Sequence, residues 1–208
     1  MDVLIVSKTR MTNAICVGGI LADGRSVRLL DEDGHNQPND TDFEIKDVWT
    51  IEFDERLDKR PPHVEDVLLT KKEFKFKLKE TTKMLEFIKE KFKSTVWKDG
   101  IDNIYGGKIQ WTSSGSGYVS EMKDLPDCST GFWLLDKDLK RSDYAGKVKY
   151  KYPFSQWRNI PFVGCQSPID LIPAGTLVRL SLARWWSPDG SDDEERCYLQ
   201  LSGWYDFE

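Results

Sequence analysis

Short runs in which apolar and polar residues alternate recur along this chain, and they constrain its fold more than any other feature. In an extended chain successive side chains point to opposite faces, so such runs predict β-strands with one buried face. Strand candidates in the first part of the chain are residues 3–9, the hairpin 14–31 with a tight turn at Asp23-Gly24, residues 48–55, and residues 64–79 as one long strand or a strand pair. Those in the last part are residues 131–138, 147–154, 157–164, 176–186 and 196–205. The pattern therefore predicts about five strands in each half.

The period changes between the two halves. In residues 81–93 (TTKMLEFIKEKFK), Leu85, Ile88 and Phe92 fall on one helical stripe, so this segment is predicted to be the one clear helix. Thr81 or Thr82 is the expected N-cap. Residues 94–129 are rich in Gly, Ser and Asn, and we expect an irregular connector with one short strand or helical turn.

Five strands with Greek-key closure and an added helix describe an OB-fold barrel. We therefore predict a mainly β chain with one clear helix and two OB-like five-stranded barrels packed in tandem. Residues 1–80 would form the first barrel, 81–130 the helix and connector, and 131–208 the second barrel. Gly18-Gly19, inside a strand candidate, predicts a bulge, a sharp bend or a close backbone approach. A pair of SH3-like barrels or one larger sandwich would show similar strand spacing and stays an alternative.

The formal net charge is −5, but the charges are segregated. Acids dominate residues 31–55, whereas bases dominate residues 137–158. Two strand candidates carry a lysine at every other position. We call Lys75, Lys77 and Lys79 the first lysine row, and Lys147, Lys149 and Lys151 the second lysine row. Each row is either a positive face for a polyanion or the solvated side of an ordinary strand.

Four short motifs point to a family. They are "SKTR" at 7–10, "CVGG" at 16–19, "VRLL" at 27–30 and "CYLQLSGWY" at 197–205. With these motifs the chain resembles the dual OB-containing domain family of prokaryotic proteins, most of which are uncharacterised. The resemblance implies two OB folds in one unit and a link to nucleic acid. It implies no reaction, so no catalytic residue is carried over from it, and residues 94–129 match nothing in it.

Basic side chains near the expected binding faces are the candidate site. An OB barrel binds single strands across its second and third strands, where a basic groove is combined with aromatic side chains. Residues 147–158 fall where those strands of the second barrel are expected. The candidate nucleic-acid-binding residues are Lys8, Arg10, Arg28, Lys75, Lys77, Lys147, Lys149, Tyr150, Lys151 and Arg158. The same alternation that exposes the lysines turns Tyr150 and Tyr152 towards the core, which weakens a stacking role for Tyr150.

The predicted function is therefore a nucleic-acid-binding module that prefers single-stranded DNA or RNA and performs no catalysis. The alternative is a protein-interaction module, in which the acidic segments 31–55 and 189–195 engage a basic partner. An enzyme is unsupported but not excluded, since carboxylates that converge in the fold would revive it.

Cysteine and histidine usage argues against a metal or another cofactor. The four cysteines are far apart, and His35 and His63 are each expected in exposed loops. No run of residues has the length and hydropathy of a membrane helix, and Lys8 and Arg10 follow the short apolar start instead of preceding it. We expect a cytoplasmic protein without membrane contact.

Overall fold

The computed structural model describes residues 1–92, 96–154, 156–188 and 194–205. The described chain is mainly β and divides into two units. The first contains residues 1–60, 65–92 and 205, and the second contains residues 61–64 and the described part of 96–204.

The first unit is a closed barrel of five strands. They are β1 (Asp2–Arg10), β2 (Ile15–Leu21), β3 (Ser26–Leu30), β4 (Asp47–Glu55) and β5 (Asp66–Lys77). Their order around the barrel is β1-β2-β3-β5-β4, and the antiparallel pairing of β4 with β1 closes it. The β3–β5 pair is parallel, which gives the Greek-key crossover of an OB barrel.

The two glycines inside β2 mark a bulge and a close approach. The pairing register of β1 with β2 shifts between Ile5, opposite Gly19, and Ser7, opposite Gly18. A Cβ atom added to Gly19 would lie 2.4 Å from Cγ2 of Val3, so no larger residue fits there without a shift. Both features were expected from the sequence, and together they bend the strand around the barrel.

Helix α1 (Thr81–Lys91) follows β5 and is the one α-helix in the described residues. It buries Met84, Leu85 and Ile88, in agreement with the predicted helical stripe. The expected threonine cap is wrong, because Glu80 holds the N-cap position and makes no capping hydrogen bond with its side chain.

The second unit repeats the circular strand order with additions. Its strands are β6 (Val96–Trp97), β7 (Gln110–Trp111), β8 (Gly117–Ser120), β9 (Thr130–Leu134), β10 (Leu139–Tyr144), β11 (Lys147–Tyr152), β12 (Arg158–Pro161), β13 (Leu171–Ile172), β14 (Leu177–Leu182) and β15 (Arg196–Tyr205), with a 3-10 segment at Ile101–Gly107. Hydrogen bonds join them into a four-stranded sheet, β12-β11-β10-β13, and a six-stranded sheet, β6-β9-β14-β15-β8-β7.

A parallel bridge between Phe162, just after β12, and Leu201 on β15 links the two sheets. With this bridge the strands of the second unit form a ring in the order β9/β10, β11, β12, β15, β14. This is the strand order of the first barrel, except that two strands, β9 and β10, take the place of β1. The fold class of two OB-like units is therefore confirmed. β10 was not predicted, because the segment LKRSDY buries only Leu139 fully and so lacks an apolar alternation.

The connector is more regular than expected. It contributes β6, the 3-10 segment, β7 and β8, and the three strands extend the six-stranded sheet. β6 and β7 have two residues each, which is too short for an alternation to be visible in the sequence.

Aromatic side chains fill the core of the second unit. Trp133, Tyr150 and Tyr152 are almost completely buried, and their polar groups are paired. The Tyr150 hydroxyl donates to the Ile169 carbonyl at 2.7 Å, and the Tyr152 hydroxyl donates to Oδ2 of Asp136 at 2.8 Å. Burial and that bond to Asp136 raise the pKa of Tyr152 to about 12, because both favour the neutral phenol.

Candidate functional site

Lys75 and Lys77 of the first lysine row lie on β5 and face carboxylates, whereas Lys79 follows the end of that strand. Lys75 Nζ lies 2.9 Å from Oδ2 of Asp2, and Lys77 Nζ lies 3.4 Å from Oδ1 of Asp47. Two neighbouring lysines on the same strand are paired as well, Lys71 with Glu52 and Lys72 with Asp42. This strand therefore presents a surface of mixed charge.

The other candidates of the first unit are dispersed. Lys8 is 11% exposed and lies 2.7 Å from Oε1 of Glu44. Arg28 is mostly buried and forms an ion pair with Asp66. Arg10 is exposed at the end of β1. The structure does not bring these three residues together with the first lysine row on one open basic face.

The second lysine row lies on the outer face of β11. Lys149 stands opposite Ser142 on β10 and Pro161 on β12, and Lys151 stands opposite Lys140 on β10. Lys147, Lys149, Lys151 and Lys140 form no ion pair within the described part of the chain. We call these four residues the lysine face. At about 3.3 Å per residue, the second lysine row spans roughly 13 Å.

Packing on the inner side of β11 determines the direction of the lysines. Tyr150 and Tyr152 alternate with them and enter the core, so the ammonium groups must point outwards. Tyr150 has no exposed surface, and a buried ring cannot stack on a base. We therefore remove Tyr150 from the candidate site.

Arg158 also lies apart from the lysine face. At the start of β12 it stands opposite Tyr152, and its guanidinium carbon lies 4.6 Å from the ring centre of Trp111 and 5.2 Å from that of Phe154. These cation–π contacts hold it within a packed stack.

A pocket adjoins the lysine face and includes residues that the predicted site omitted. Its volume is about 410 Å³, and its lining residues are Lys137, Asp138, Lys140, Pro153, Trp157 and Ala174. We call it the Trp157 pocket. The Trp157 side chain is 51% exposed. The excess of bases over residues 137–158 was the signal that could have identified Lys137 and Lys140 as candidates.

The structure corrects the expectation for one histidine. His35 is exposed as predicted, but His63 is almost completely buried, with Nε2 3.5 Å from Sγ of the buried Cys197. Residues 61–64 belong to the second unit, where Trp185 Nε1 also donates to the Pro61 carbonyl at 2.9 Å. A proline-rich segment was thus mistaken for an exposed loop.

The described residues offer neither a metal site nor a membrane span of the helical kind. They contain no cluster of three or more His, Cys, Asp or Glu side chains arranged to hold a metal ion. No helix among them has the length and apolar character to cross a membrane.

Two OB-like units, the second with four lysines on β10 and β11, define an OB-fold protein. The chain belongs to the dual OB-containing domain family, whose model matches residues 1–204. The resemblance of the four short motifs to this family is thereby confirmed.

Comparison with solved structures found distant similarities. A murine DNA-binding protein bound with double-stranded DNA is 11% identical, with a TM-score of 0.32 over 97% of this chain and 91% of that one. The HINb domain of p204 is 9% identical, with a TM-score of 0.33 over 97% and 95% of the two chains. No curated protein matches this chain.

Proposed function

We propose that this protein is a nucleic-acid-binding module that contacts phosphates through the lysine face and prefers single-stranded DNA or RNA. The observation that carries the proposal is the set of four lysines on β10 and β11 that have no carboxylate partner in the described chain. The proposal assigns no catalytic residue.

Counterion release supplies the binding energy in this proposal. Phosphates carry condensed cations, and lysines that replace them release these cations into solution. The roughly 13 Å of the second lysine row matches about four stacked nucleotides at about 3.4 Å each. Four contacts on a single strand predict that log K falls with log salt with a slope of about −2.8.

The position of the lysine face supports a preference for single strands. β11 and β12 occupy the second and third places in the ring of the second unit, and OB barrels bind single strands across those strands. An exposed tryptophan next to the face offers a surface on which an unpaired base can stack.

A fluorescent oligonucleotide titration at two salt concentrations tests this function. Between about 50 mM and about 200 mM salt, the affinity of the wild type should fall by about 50-fold. The variant K147Q/K149Q/K151Q should lose most of its affinity and reduce the slope by about 2.

The first lysine row supplies the matched control. The variant K75Q/K77Q/K79Q removes the same number of positive charges from the first unit, at β5 and just after its end, and should bind as the wild type does. Circular dichroism checks that both variants are folded. Wild-type affinity in the K147Q/K149Q/K151Q variant, or equal losses in both, would refute the assignment.

The alternative function as a protein-interaction module has less support. In the acidic segment 31–55, Asp42, Glu44, Asp47 and Glu52 are each paired with a lysine of the same unit. In the segment 189–195, residues 189–193 lie outside the described residues, and Glu194 is paired with Arg196. A protein that co-purifies in stoichiometric amount, without nucleic acid, would favour this alternative.

A further inference from the structure

We propose that the Trp157 pocket binds one nucleotide, with the base stacked on Trp157 and its phosphate between Lys137 and Lys140. This inference rests on the proposed function and names a subsite within it. Its ligand is an aromatic base that carries one phosphate, either within a strand or as a free nucleotide.

The aromatic wall of the pocket is prepared for stacking. Trp157 leaves about half of its side chain in water, although tryptophan usually buries its ring. Pro153 lines the pocket with it and adds a second apolar surface. Base stacking on an aromatic side chain accounts for roughly 5- to 150-fold in affinity.

The cations of the pocket are placed by the fold. Lys137 Nζ lies 5.3 Å from the ring centre of Tyr152, whose hydroxyl is itself bound to Asp136. Lys140 is a backbone neighbour of Lys151 across β10 and β11, so the pocket adjoins the lysine face. Neither Lys137 nor Lys140 forms an ion pair with any described residue.

The third charged residue favours a ligand with one phosphate over a ligand with several. The Asp138 carboxylate also lines the pocket, and its Oδ1 accepts a hydrogen bond from the Ala174 backbone N–H at 2.8 Å. Two ammonium groups and one carboxylate leave about one net positive charge, which matches a single phosphodiester. The volume of about 410 Å³ lies within the range of about 300–1,000 Å³ for small-ligand pockets.

Replacement of Trp157 separates stacking from charge. W157A should lower the affinity for a single-stranded oligonucleotide by roughly 5- to 150-fold without a change in the salt slope. W157F should retain most of the affinity, because it keeps an aromatic face. W186A is the matched control, since Trp186 is 54% exposed in the same unit but lies outside the pocket, and it should bind normally.

Two further measurements complete the test. An oligonucleotide without bases should bind W157A and the wild type equally, because it has nothing to stack on Trp157. The variant K137Q/K140Q should reduce the slope of log K against log salt by about 0.7, because one phosphate contact is lost. Competition by adenosine monophosphate distinguishes a free nucleotide from a nucleotide within a strand as the ligand of the pocket. If it competes only when Trp157 is present, the pocket accepts a free nucleotide; if it does not compete, the pocket accepts the nucleotide within a strand.

The two proposals fail in different ways. Normal affinity of W157A for the oligonucleotide, together with a loss in K147Q/K149Q/K151Q, would overturn the pocket but leave the proposed function standing. Normal affinity in K147Q/K149Q/K151Q would overturn the proposed function itself.

Discussion

The strands β5 and β11 share one sequence pattern but present different surfaces. On β5 the lysines face carboxylates of the same unit, whereas on β11 they face Ser142, Pro161 and another lysine. The apolar sides differ as well. Phe74 and Phe76 on β5 are 51% and 48% exposed, whereas Tyr150 on β11 is fully buried. Alternation in the sequence thus determines which side chains share a face of the strand. The residues on neighbouring strands determine whether that face is buried, paired with opposite charges or open to solvent.

Substitutions on the apolar sides of β11 and β5 should give the largest difference, which is a difference in the free energy of unfolding. Tyr150→Ala should lower the free energy of unfolding by about 3–5 kcal/mol, because it leaves a cavity in a packed core. Phe76→Ala should cost about 1 kcal/mol or less, since that ring is half in solvent. Urea unfolding of both variants measures the difference, and equal losses would show that the two apolar sides are equivalent.

Added carboxylates should convert the second lysine row into a surface like the first. In K140D/S142D the second lysine row is intact, but Lys149 and Lys151 gain acidic partners across the strands. If about three lysines cease to bind phosphate, and each accounts for about 0.7 log unit in 0.1 M salt, the affinity for an oligonucleotide should fall by about 100-fold. Unchanged affinity in the same titration would mean that neighbouring charge does not control this face.

Removal of carboxylates should do the opposite on β5. D2N and D47N each free one lysine of the first lysine row, and each should increase oligonucleotide affinity by about fivefold in 0.1 M salt. E73Q is a suitable control, because Glu73 also lies on β5 and has no basic partner among the described residues. A gain in E73Q as large as that in D2N would indicate a general effect of net charge.

The smallest effect concerns one ion pair. Hydrogen bonds from Lys75 and then Thr50 lower the pKa of Asp2 below 3.8. A lowered pKa stabilises the fold above the unfolded-state pKa, and this stabilisation is lost as the pH falls through the folded-state value. K75Q should therefore raise the pKa of Asp2 towards 3.8, as measured by NMR titration. The pair is exposed, so the accompanying change in stability should stay within about 1 kcal/mol.

Much of the fold was predictable because its signals are local. The hairpin at Asp23-Gly24, the Gly18-Gly19 bulge and the helical stripe of α1 each depend on residues adjacent in sequence. β10 was missed because its extended conformation depends on hydrogen bonds to neighbouring strands and not on an alternating sequence pattern. β6 and β7 were missed because a strand of two residues is too short to show an alternation. His63 was misjudged because its burial depends on Cys197, far away along the chain.

The candidate site was predictable only in part. Alternation alone determined that the lysines of β11 point away from Tyr150 and Tyr152. It could not distinguish them from Lys75 and Lys77, whose partners Asp2 and Asp47 come from other strands.

The sequence by itself determined the five strands of the first OB-like unit, most of those of the second, and the two faces of each lysine-bearing strand, because side-chain direction in a strand follows from position alone. Only the tertiary structure decided which lysines of the described chain have a carboxylate partner and which do not. It also brought Lys137, Lys140 and Trp157 together in one pocket. The physical reason is that ion pairing and pocket formation depend on distances across strands, which strand order and register set.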